Sequence, residues 1–114
     1  MKVLVTGGSG IVGHYVINEL IENNHEVVNA DKVRWGTLSH SGTTTTARAD
    51  KALEMRKSWG KLPTFFEVDV TDYGQIISSM EGCDGVIHLA ACPSAEYYTE
   101  EFVFTTNTSS MCNI

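Results

Sequence analysis

The sequence is poor in basic residues and in long apolar runs. Its 114 residues include eight lysines and arginines against fourteen aspartates and glutamates, so the formal net charge is −6. A nucleic-acid surface needs clustered basic side chains, and this balance argues against such a partner. The opening apolar run is only as long as a strand, and a glycine turn interrupts it. We therefore expect neither a membrane span nor a secretory signal, and we expect a cytoplasmic protein.

Cysteine and histidine are also sparse. Cys83, Cys92 and Cys112 are odd in number and form no Cys-x-x-Cys pair, so we expect no disulfide framework. The four histidines are scattered along the chain, so we expect no metal site. The length of 114 residues fits one domain, residues 1–114, with a modest core.

Glycine, in contrast, is concentrated in a turn near the start of the chain. The run Val3–Val5 is continuously apolar, as a strand buried on both faces requires. The glycines that follow allow a sharp turn, a close approach of bare backbone to a phosphate, and a helix packed close to the strand. We assign the pyrophosphate contacts of a dinucleotide to five residues of this turn: Gly7, Gly10, Ile11, Val12 and Gly13.

The helix after the turn carries an inward apolar stripe. The stripe consists of Val16, Ile17, Leu20 and Ile21. This arrangement directs the unpaired N–H groups and the positive dipole end of the helix toward the phosphates.

An acidic residue ends the next apolar run. The predicted strand 26–30 is followed directly by Asp31. A carboxylate at that position can accept hydrogen bonds from both ribose hydroxyls of an adenosine, and it would repel a 2′-phosphate. We therefore expect NAD rather than NADP. Lys32, which we also assign to the site, and Arg34 lie close enough to soften this preference.

Strand and helix patterns alternate along the chain, which predicts an α/β fold of the Rossmann type, with a parallel sheet and helices on both faces. The predicted strands cover residues 2–6, 26–30, 64–68 and 85–90, and the predicted helices cover 11–23, 72–81 and 99–114. Asp72 and Gln75 form a capping-box pattern at the start of the second of these helices. Right-handed crossovers place the strands in the order 3-2-1-4, an incomplete sheet with the fourth strand at an edge.

The segment 32–63 is a long, inserted connection for such a fold. Residues 39–46 are rich in serine and threonine, which indicates an exposed loop or local disorder. Residues 47–59 predict a helix with Ala52, Met55 and Trp59 on one face. This face either packs on the sheet or a neighbour, or takes part in binding a cofactor or partner.

The glycine turn resembles that of a known family. Thr6–Gly13 is similar to the Thr-Gly-x-x-Gly-x-x-Gly fingerprint of extended short-chain dehydrogenases, the NAD-dependent epimerase/dehydratase family. The resemblance covers nearly the whole chain except the segment 32–63. It implies an NAD cofactor and an oxidoreductase, epimerase or dehydratase activity on a sugar or sugar acid.

An acidic turn carries a second match. Asp69–Asp72 is similar to the family's turn after strand 3. The resemblance implies that the carboxylate of Asp69 takes the adenine amino group and that the N–H of Val70 takes a ring nitrogen. The alternative from the residues alone is that Asp69 is a turn or helix-start residue.

Two segments near the end of the chain also match. His88–Ala91 is similar to the end of strand 4 beneath the cofactor ribose and nicotinamide, which implies contacts from Leu89, Ala90 and Ala91. Asn107, with Asn113, is similar to part of the helix that follows in the family, and it too is assigned to the site. From the residues alone, His88 is either a catalyst or a hydrogen-bonded core histidine. Asn107 either contacts the cofactor or ties its helix to an adjacent loop.

The family's catalytic Tyr-x-x-x-Lys pair is absent. In the family, the tyrosine takes the substrate's hydroxyl proton while hydride moves to the nicotinamide, and the lysine lowers the tyrosine's pKa. The residues four places beyond the four tyrosines are Glu19, Ile77, Glu101 and Phe102. We therefore assign no catalytic residue, and we expect this chain to be the amino-terminal part of a longer enzyme.

These observations predict the NAD-binding half of a sugar or sugar-acid oxidoreductase that is inactive alone. Two alternatives stay open: half of a two-chain enzyme, or a non-catalytic NAD-binding or interaction protein. A sugar or nucleotide-sugar substrate is expected only if the missing half is supplied. The edge strand, with its unpaired backbone groups, also predicts self-association.

Overall fold

Four parallel strands form one sheet in a computed structural model, which describes residues 1–34, 46–93, 96 and 98–114. The strands are β1 (Lys2–Thr6), β2 (Glu26–Asp31), β3 (Thr64–Glu67) and β4 (Gly85–His88). Their order is β3-β2-β1-β4. The helices are α1 (Ile11–Glu22), α2 (Thr46–Ser58), α3 (Tyr73–Met80) and α4 (Glu100–Asn113). The predicted strand order, parallel sheet and α/β class are confirmed.

The central strand is buried on both faces, as its apolar run predicts. On one face, Leu4 packs with Val28, Ala30 and Ile76, so that α3 covers this side. On the other face, a second cluster is covered by α1 and by the residue after α2, and it contains Val3, Val5, Ile17, Val27 and Trp59. The four predicted stripe residues of α1 belong to this second cluster or pack against it.

The inserted segment contributes a helix that packs on α1. Ala52 and Trp59, two residues of its predicted face, are buried, and Met55 is half-buried. The indole Nε1–H of Trp59 donates a hydrogen bond of 3.0 Å to the side-chain oxygen of Asn18 in α1. Most of the predicted loop at 39–46 lies outside the described residues, and Thr46 is the first residue of α2.

The predicted ends of several elements differ from the observed ends by one or two residues. β4 ends at His88 and not at residue 90. The N–H of Leu89 still reaches the backbone carbonyl of Thr6 at 3.1 Å, but the N–H of Ala90 turns to the side chain of Thr6. Helix α3 begins at Tyr73 because Asp72 is its N-cap, whose carboxylate accepts the N–H of Gln75 at 3.0 Å. Helix α4 likewise begins at Glu100, one residue after its predicted start, because Thr99 is its N-cap.

The order of the strands leaves β4 at one edge and β3 at the other. The residues of β4 are half-buried, and Val86 and Ile87 pack against opposite cores. None of the helices in the described part of the chain combines the length and the apolar character needed to cross a membrane. The cytoplasmic location stays a prediction.

Candidate functional site

A cavity of about 450 Å³ lies at the carboxyl ends of the strands. The glycine turn and the start of α1 form one wall, the chain after β2 and β3 forms a second, and the chain after β4 forms a third. The strand order reverses between β1 and β4, and open α/β sheets bind their ligands at such a reversal. All of the predicted site residues except Asp69 and Asn107 line this cavity.

Of the three turn glycines assigned to the site, Gly7 and Gly13 are required by the packing of the protein itself. Gly7 has a φ of +71°, and a Cβ there would lie 2.7 Å from the backbone nitrogen of Ala90. A Cβ on Gly13 would lie 2.4 Å from the carbonyl oxygen of Gly7. The first contact brings the chain after β4 directly against the turn, and the second brings α1 against it.

Gly10 differs from the other two. Its backbone has φ −74° and ψ 173°, which any residue adopts. Among the described residues, a Cβ there would meet only the carbonyl oxygen of Gly7, at 3.3 Å. Gly10 nevertheless lines the cavity. The space left by its missing side chain therefore belongs to the cavity and not to the packing of the protein.

The start of α1 presents uncompensated positive charge to this space. Among the described residues, no side chain caps the helix, and no acidic residue lies in its first turn. Its first residues, Ile11, Val12 and Gly13, line the cavity. Free N–H groups at the positive end of a helix dipole favour a bound anion such as phosphate.

Asp31 lines the cavity and is held in place by backbone groups. Its Oδ2 accepts the N–H of Ser9 at 3.0 Å, and its Oδ1 accepts the N–H of Val33 at 3.1 Å. Each carboxylate oxygen has two lone pairs, so each keeps one for a ligand hydroxyl. The carboxylate therefore has a fixed direction and a remaining capacity to accept.

The two nearby basic residues face acidic partners. The ammonium of Lys32 lies 3.9 Å from the carboxylate of Asp69, and the guanidinium of Arg34 lies 3.6 Å from that of Glu67. Both pairs are largely exposed, so each contributes little to stability. Lys32 and Arg34 are the cations that could attract a 2′-phosphate. In each pair the neighbouring carboxylate offsets that attraction.

Asp69 and Val70 face different spaces. Val70 is buried and lines the main cavity, whereas Asp69 lines a smaller cavity of about 380 Å³ next to it, with Lys32 and Gln75. The Oδ1 of Asp69 accepts the N–H of Thr71 at 2.9 Å and its hydroxyl at 2.7 Å, and these bonds lower the pKa of Asp69. These are the contacts of a turn residue, and the predicted adenine contact of Asp69 stays a prediction.

The wall after β4 is held by a buried threonine that the sequence analysis did not assign. The hydroxyl oxygen of Thr6 accepts the N–H groups of Leu89 and Ala90, both at 3.2 Å. With its acceptor capacity used, the hydroxyl donates its proton to Nδ1 of His88 at 2.6 Å. Thr6 therefore joins the end of β1 to the cavity wall.

His88 is a neutral core histidine in this arrangement. Because Nδ1 accepts from Thr6, the ring proton is on Nε2, which donates to the hydroxyl of Ser110 in α4 at 3.2 Å. Burial lowers the pKa of His88 and so favours the neutral ring. The geometry fits the alternative of a hydrogen-bonded core residue.

Asn107 lies behind the wall. Its side-chain oxygen accepts the N–H of Cys92 at 2.7 Å, and its amide donates to the carbonyl of Cys92 at 3.1 Å. Asn107 thus ties α4 to the loop after β4, as its alternative reading predicts, and it does not line the cavity. Its contact with a cofactor stays a prediction.

Several further residues line the cavity and were not assigned from the sequence. They are Ser9, Val33, Val68, Cys92, Pro93, Tyr98, Phe102 and Thr106. The rings of Tyr98 and Phe102 stack with their centroids 5.2 Å apart, and their spacing of four residues at the start of a helix was the available signal.

The comparison with known families decides the classification. The model of the NAD dependent epimerase/dehydratase family matches residues 3–114. The chain belongs to this family. The family assignment made from Thr6–Gly13 is therefore confirmed, and the predicted cofactor, NAD, is the one in the family's description.

Individual relatives agree with this assignment. A UDP-glucose 4-epimerase of Yersinia enterocolitica is 30% identical over 113 residues, which are 90% of this chain and 30% of that protein. Vestitone reductase of Medicago sativa is 30% identical over 93 residues, which are 79% of this chain and 25% of that protein.

Solved structures of family members resemble the fold. The UDP-glucose 4-epimerase of Stenotrophomonas maltophila, with bound NAD and formylated UDP-arabinopyranose, is 26% identical with a TM-score of 0.73. The UDP-glucose 4-epimerase of Thermus thermophilus in complex with NAD is 25% identical with a TM-score of 0.66. Each match covers 99% of this chain and 32% of the other chain. The chain thus spans about a third of the length of these relatives.

Stability should fall in mildly acidic solution because two histidines are held neutral. Burial lowers the pKa of His14 and of His88 below the ordinary value of 6.5. Between the folded pKa and 6.5, the unfolded chain binds more protons, so the stabilisation is complete above 6.5 and is lost as the pH falls below it. We expect a slope of up to about 1.4 kcal/mol per pH unit for each histidine. Urea unfolding between about pH 5 and pH 8 measures it.

The control for this prediction is His88→Gln, which cannot titrate in this range and should show a shallower slope. Asp69 does not contribute to this slope. Its lowered pKa stabilises the folded chain above pH 3.8, and that stabilisation is lost only below this value. A free energy of unfolding that stays constant from pH 8 to about pH 5 would contradict the prediction.

Proposed function

We propose that this chain binds NAD and forms the cofactor-binding part of an epimerase/dehydratase-family enzyme that acts on a sugar or nucleotide sugar. The observation that carries the proposal is the space at Gly10. The packing of the protein requires glycine at Gly7 and Gly13, but the room at Gly10 opens into the cavity beside the free start of α1. Bare backbone facing an anion site is what a pyrophosphate needs.

The residues present fit NAD along the length of the cavity. The N–H groups of Ile11, Val12 and Gly13 would hold the pyrophosphate. The remaining lone pairs of Asp31 would accept the hydroxyls of the adenosine ribose. At the adenine end, Val70 lies in the cavity wall, with Lys32 and Asp69 beside it.

Small residues would leave room for the other half of the cofactor. Ala90 and Ala91 line the cavity shortly after β4, next to Leu89, and a bulky side chain at either position would fill the space. Thr6 would keep this wall in place through its two accepted hydrogen bonds. Bound NAD would supply the acceptor for a substrate hydride, and these residues would orient it.

The chemistry on a substrate needs groups outside this chain. No tyrosine among the 114 residues is followed by lysine four places later, and within the described part His88 is occupied by its hydrogen bonds to Thr6 and Ser110. The substrate class rests on the relatives, several of which are UDP-glucose 4-epimerases. Residues that take the substrate proton would be supplied by further sequence or by a partner chain.

Binding of NAD should depend on the open space at Gly10. Gly10→Val should abolish NAD binding, because the branched side chain would occupy the pyrophosphate position. The position itself tolerates a side chain, so Gly10→Ala should change the free energy of unfolding by less than about 1 kcal/mol. Gly13→Ala is the matched control: it should cost about 1–3 kcal/mol of stability, because its Cβ collides with backbone. Calorimetry that shows equal NAD affinity for Gly10→Val and the unaltered chain would refute the assignment.

The cavity should prefer NAD over NADP. Asp31 is held by Ser9 and Val33 and points a negative charge at the ribose position, while the nearest cations face acids. Asp31→Asn should lower the ratio of NAD affinity to NADP affinity by about tenfold, since it removes the repulsion of a 2′-phosphate and keeps the side chain's shape. Competition of the two cofactors, measured by calorimetry, tests this. Tighter binding of NADP by the unaltered chain would show that Lys32 or Arg34 governs the pocket.

The 114-residue polypeptide should self-associate and lack dehydrogenase activity. In the part of the chain that the structure describes, β4 pairs only with β1 and leaves its other side open, and α4 exposes the large apolar side chains Phe104 and Met111. Light scattering during size-exclusion chromatography should show dimers or larger species, and incubation with NAD and UDP-sugars should give no NADH. A stable monomer would contradict the first part. Formation of NADH would contradict the second part, because it requires a proton acceptor within this chain.

A further inference from the structure

A buried histidine holds the residue of the glycine turn that faces the cavity. His14 lies in the first turn of α1 and has no exposed surface. Its ring Nδ1 is 2.8 Å from the carbonyl oxygen of Gly10, and its backbone N–H donates to the same oxygen at 3.0 Å. A carbonyl oxygen can only accept, so Nδ1 carries the ring proton.

These contacts compensate for the freedom of a glycine. Gly10 has no side chain to pack, and glycine has more accessible backbone conformations than any other residue. Its N–H donates to the carbonyl of Gly7 at 3.1 Å, and its carbonyl receives the two bonds from His14. Gly10 is therefore held on both sides without a side chain in the cavity.

Trp59 holds the histidine in turn. The rings of His14 and Trp59 are tilted by 33°, with their centroids 5.7 Å apart. The indole N–H is directed to Asn18 of α1 at 3.0 Å, so the tryptophan is oriented by a bond that does not involve the histidine. Trp59 follows α2 directly and belongs to the inserted segment 32–63.

The surroundings keep the ring neutral. Burial is the main influence and lowers the pKa of His14; the nearby charge of Arg56 in α2 also lowers it, while the bond to Gly10 and the charge of Asp31 raise it. A neutral ring with its proton on Nδ1 can donate to Gly10 without placing a full charge beside the turn.

We propose that His14, braced by Trp59, is a positioning residue that fixes Gly10 in the shape required for cofactor binding. The later part of the inserted segment, α2 and Trp59, thereby supports the phosphate turn from behind and does not line the cavity. This inference rests on the proposed NAD binding. It assigns to the segment a role in the site that its packing face alone does not reveal.

The first test observes the free protein. Long-range ¹H–¹⁵N spectra of the labelled 114-residue chain identify which ring nitrogen carries the proton. We expect the Nδ1–H form for His14, in contrast to the Nε2–H form for His88, and we expect the His14 signals to disappear in His14→Asn. A proton on Nε2 of His14, or a doubly protonated ring near neutral pH, would overturn the proposal.

The second test compares NAD affinity among variants by calorimetry. The amide nitrogen of Asn can take the place of Nδ1, so His14→Asn should bind nearly as well as the unaltered chain, whereas His14→Leu should bind about five- to tenfold more weakly. Trp59→Phe, which keeps a ring against His14, should bind better than Trp59→Ala. Equal affinity in all four variants and the unaltered chain would overturn the proposal.

A control separates positioning from general loss of stability. Ile76→Val weakens the core on the opposite face of the sheet from Trp59. It should lower the melting temperature, as Trp59→Ala does, but leave the NAD affinity unchanged. If Ile76→Val loses as much affinity as Trp59→Ala, the role of Trp59 is only structural. If the unaltered chain binds no NAD, the proposed function fails, and this inference with it. Normal binding by both the unaltered chain and His14→Leu refutes this inference alone.

Discussion

The close packing of α1 against the end of β1 is the contact on which the site depends. A Cβ on Gly13 would lie 2.4 Å from the Gly7 carbonyl oxygen, so the helix can approach the turn only because that atom is absent. This approach places the free N–H groups of α1 at the carboxyl end of the sheet. The same turn opens into the cavity at Gly10. One short segment therefore satisfies two demands, tight packing behind it and bare backbone in front.

Hydrogen bonds from polar side chains to the backbone give the cavity its fixed walls. Thr6 joins the end of β1 to the chain after β4, and Asn107 joins α4 to the same chain at Cys92. Asp31 joins the end of β2 to the glycine turn through Ser9. In each case a side chain satisfies backbone N–H groups where the ladder of a strand has ended, because buried N–H groups need a partner. Two of these residues, Thr6 and Asp31, are the last residues of their strands, and the third, Asn107, belongs to α4.

Much of the fold was predictable because its signals are local. The apolar runs, the glycine spacing and the acid after the second strand lie within a few residues of one another, and the right-handed crossover rule then fixes the order of the strands. The ends of the elements were less predictable. β4 stopped at His88 because the side chain of Thr6, more than eighty residues away in the chain, accepted the N–H of Ala90.

The residues of the site also divide into those that local sequence signals predict and those whose role depends on distant contacts. The sequence by itself determined the α/β fold, the strand order, the family and most residues of the cavity wall, because each rests on short-range periodicity or on a contiguous motif. Only the tertiary structure decided that Gly10 opens into the cavity while Gly13 packs, that Asn107 lies behind the wall, and that Trp59 reaches His14. These facts depend on distances between elements far apart in the chain, and a one-dimensional pattern does not contain those distances.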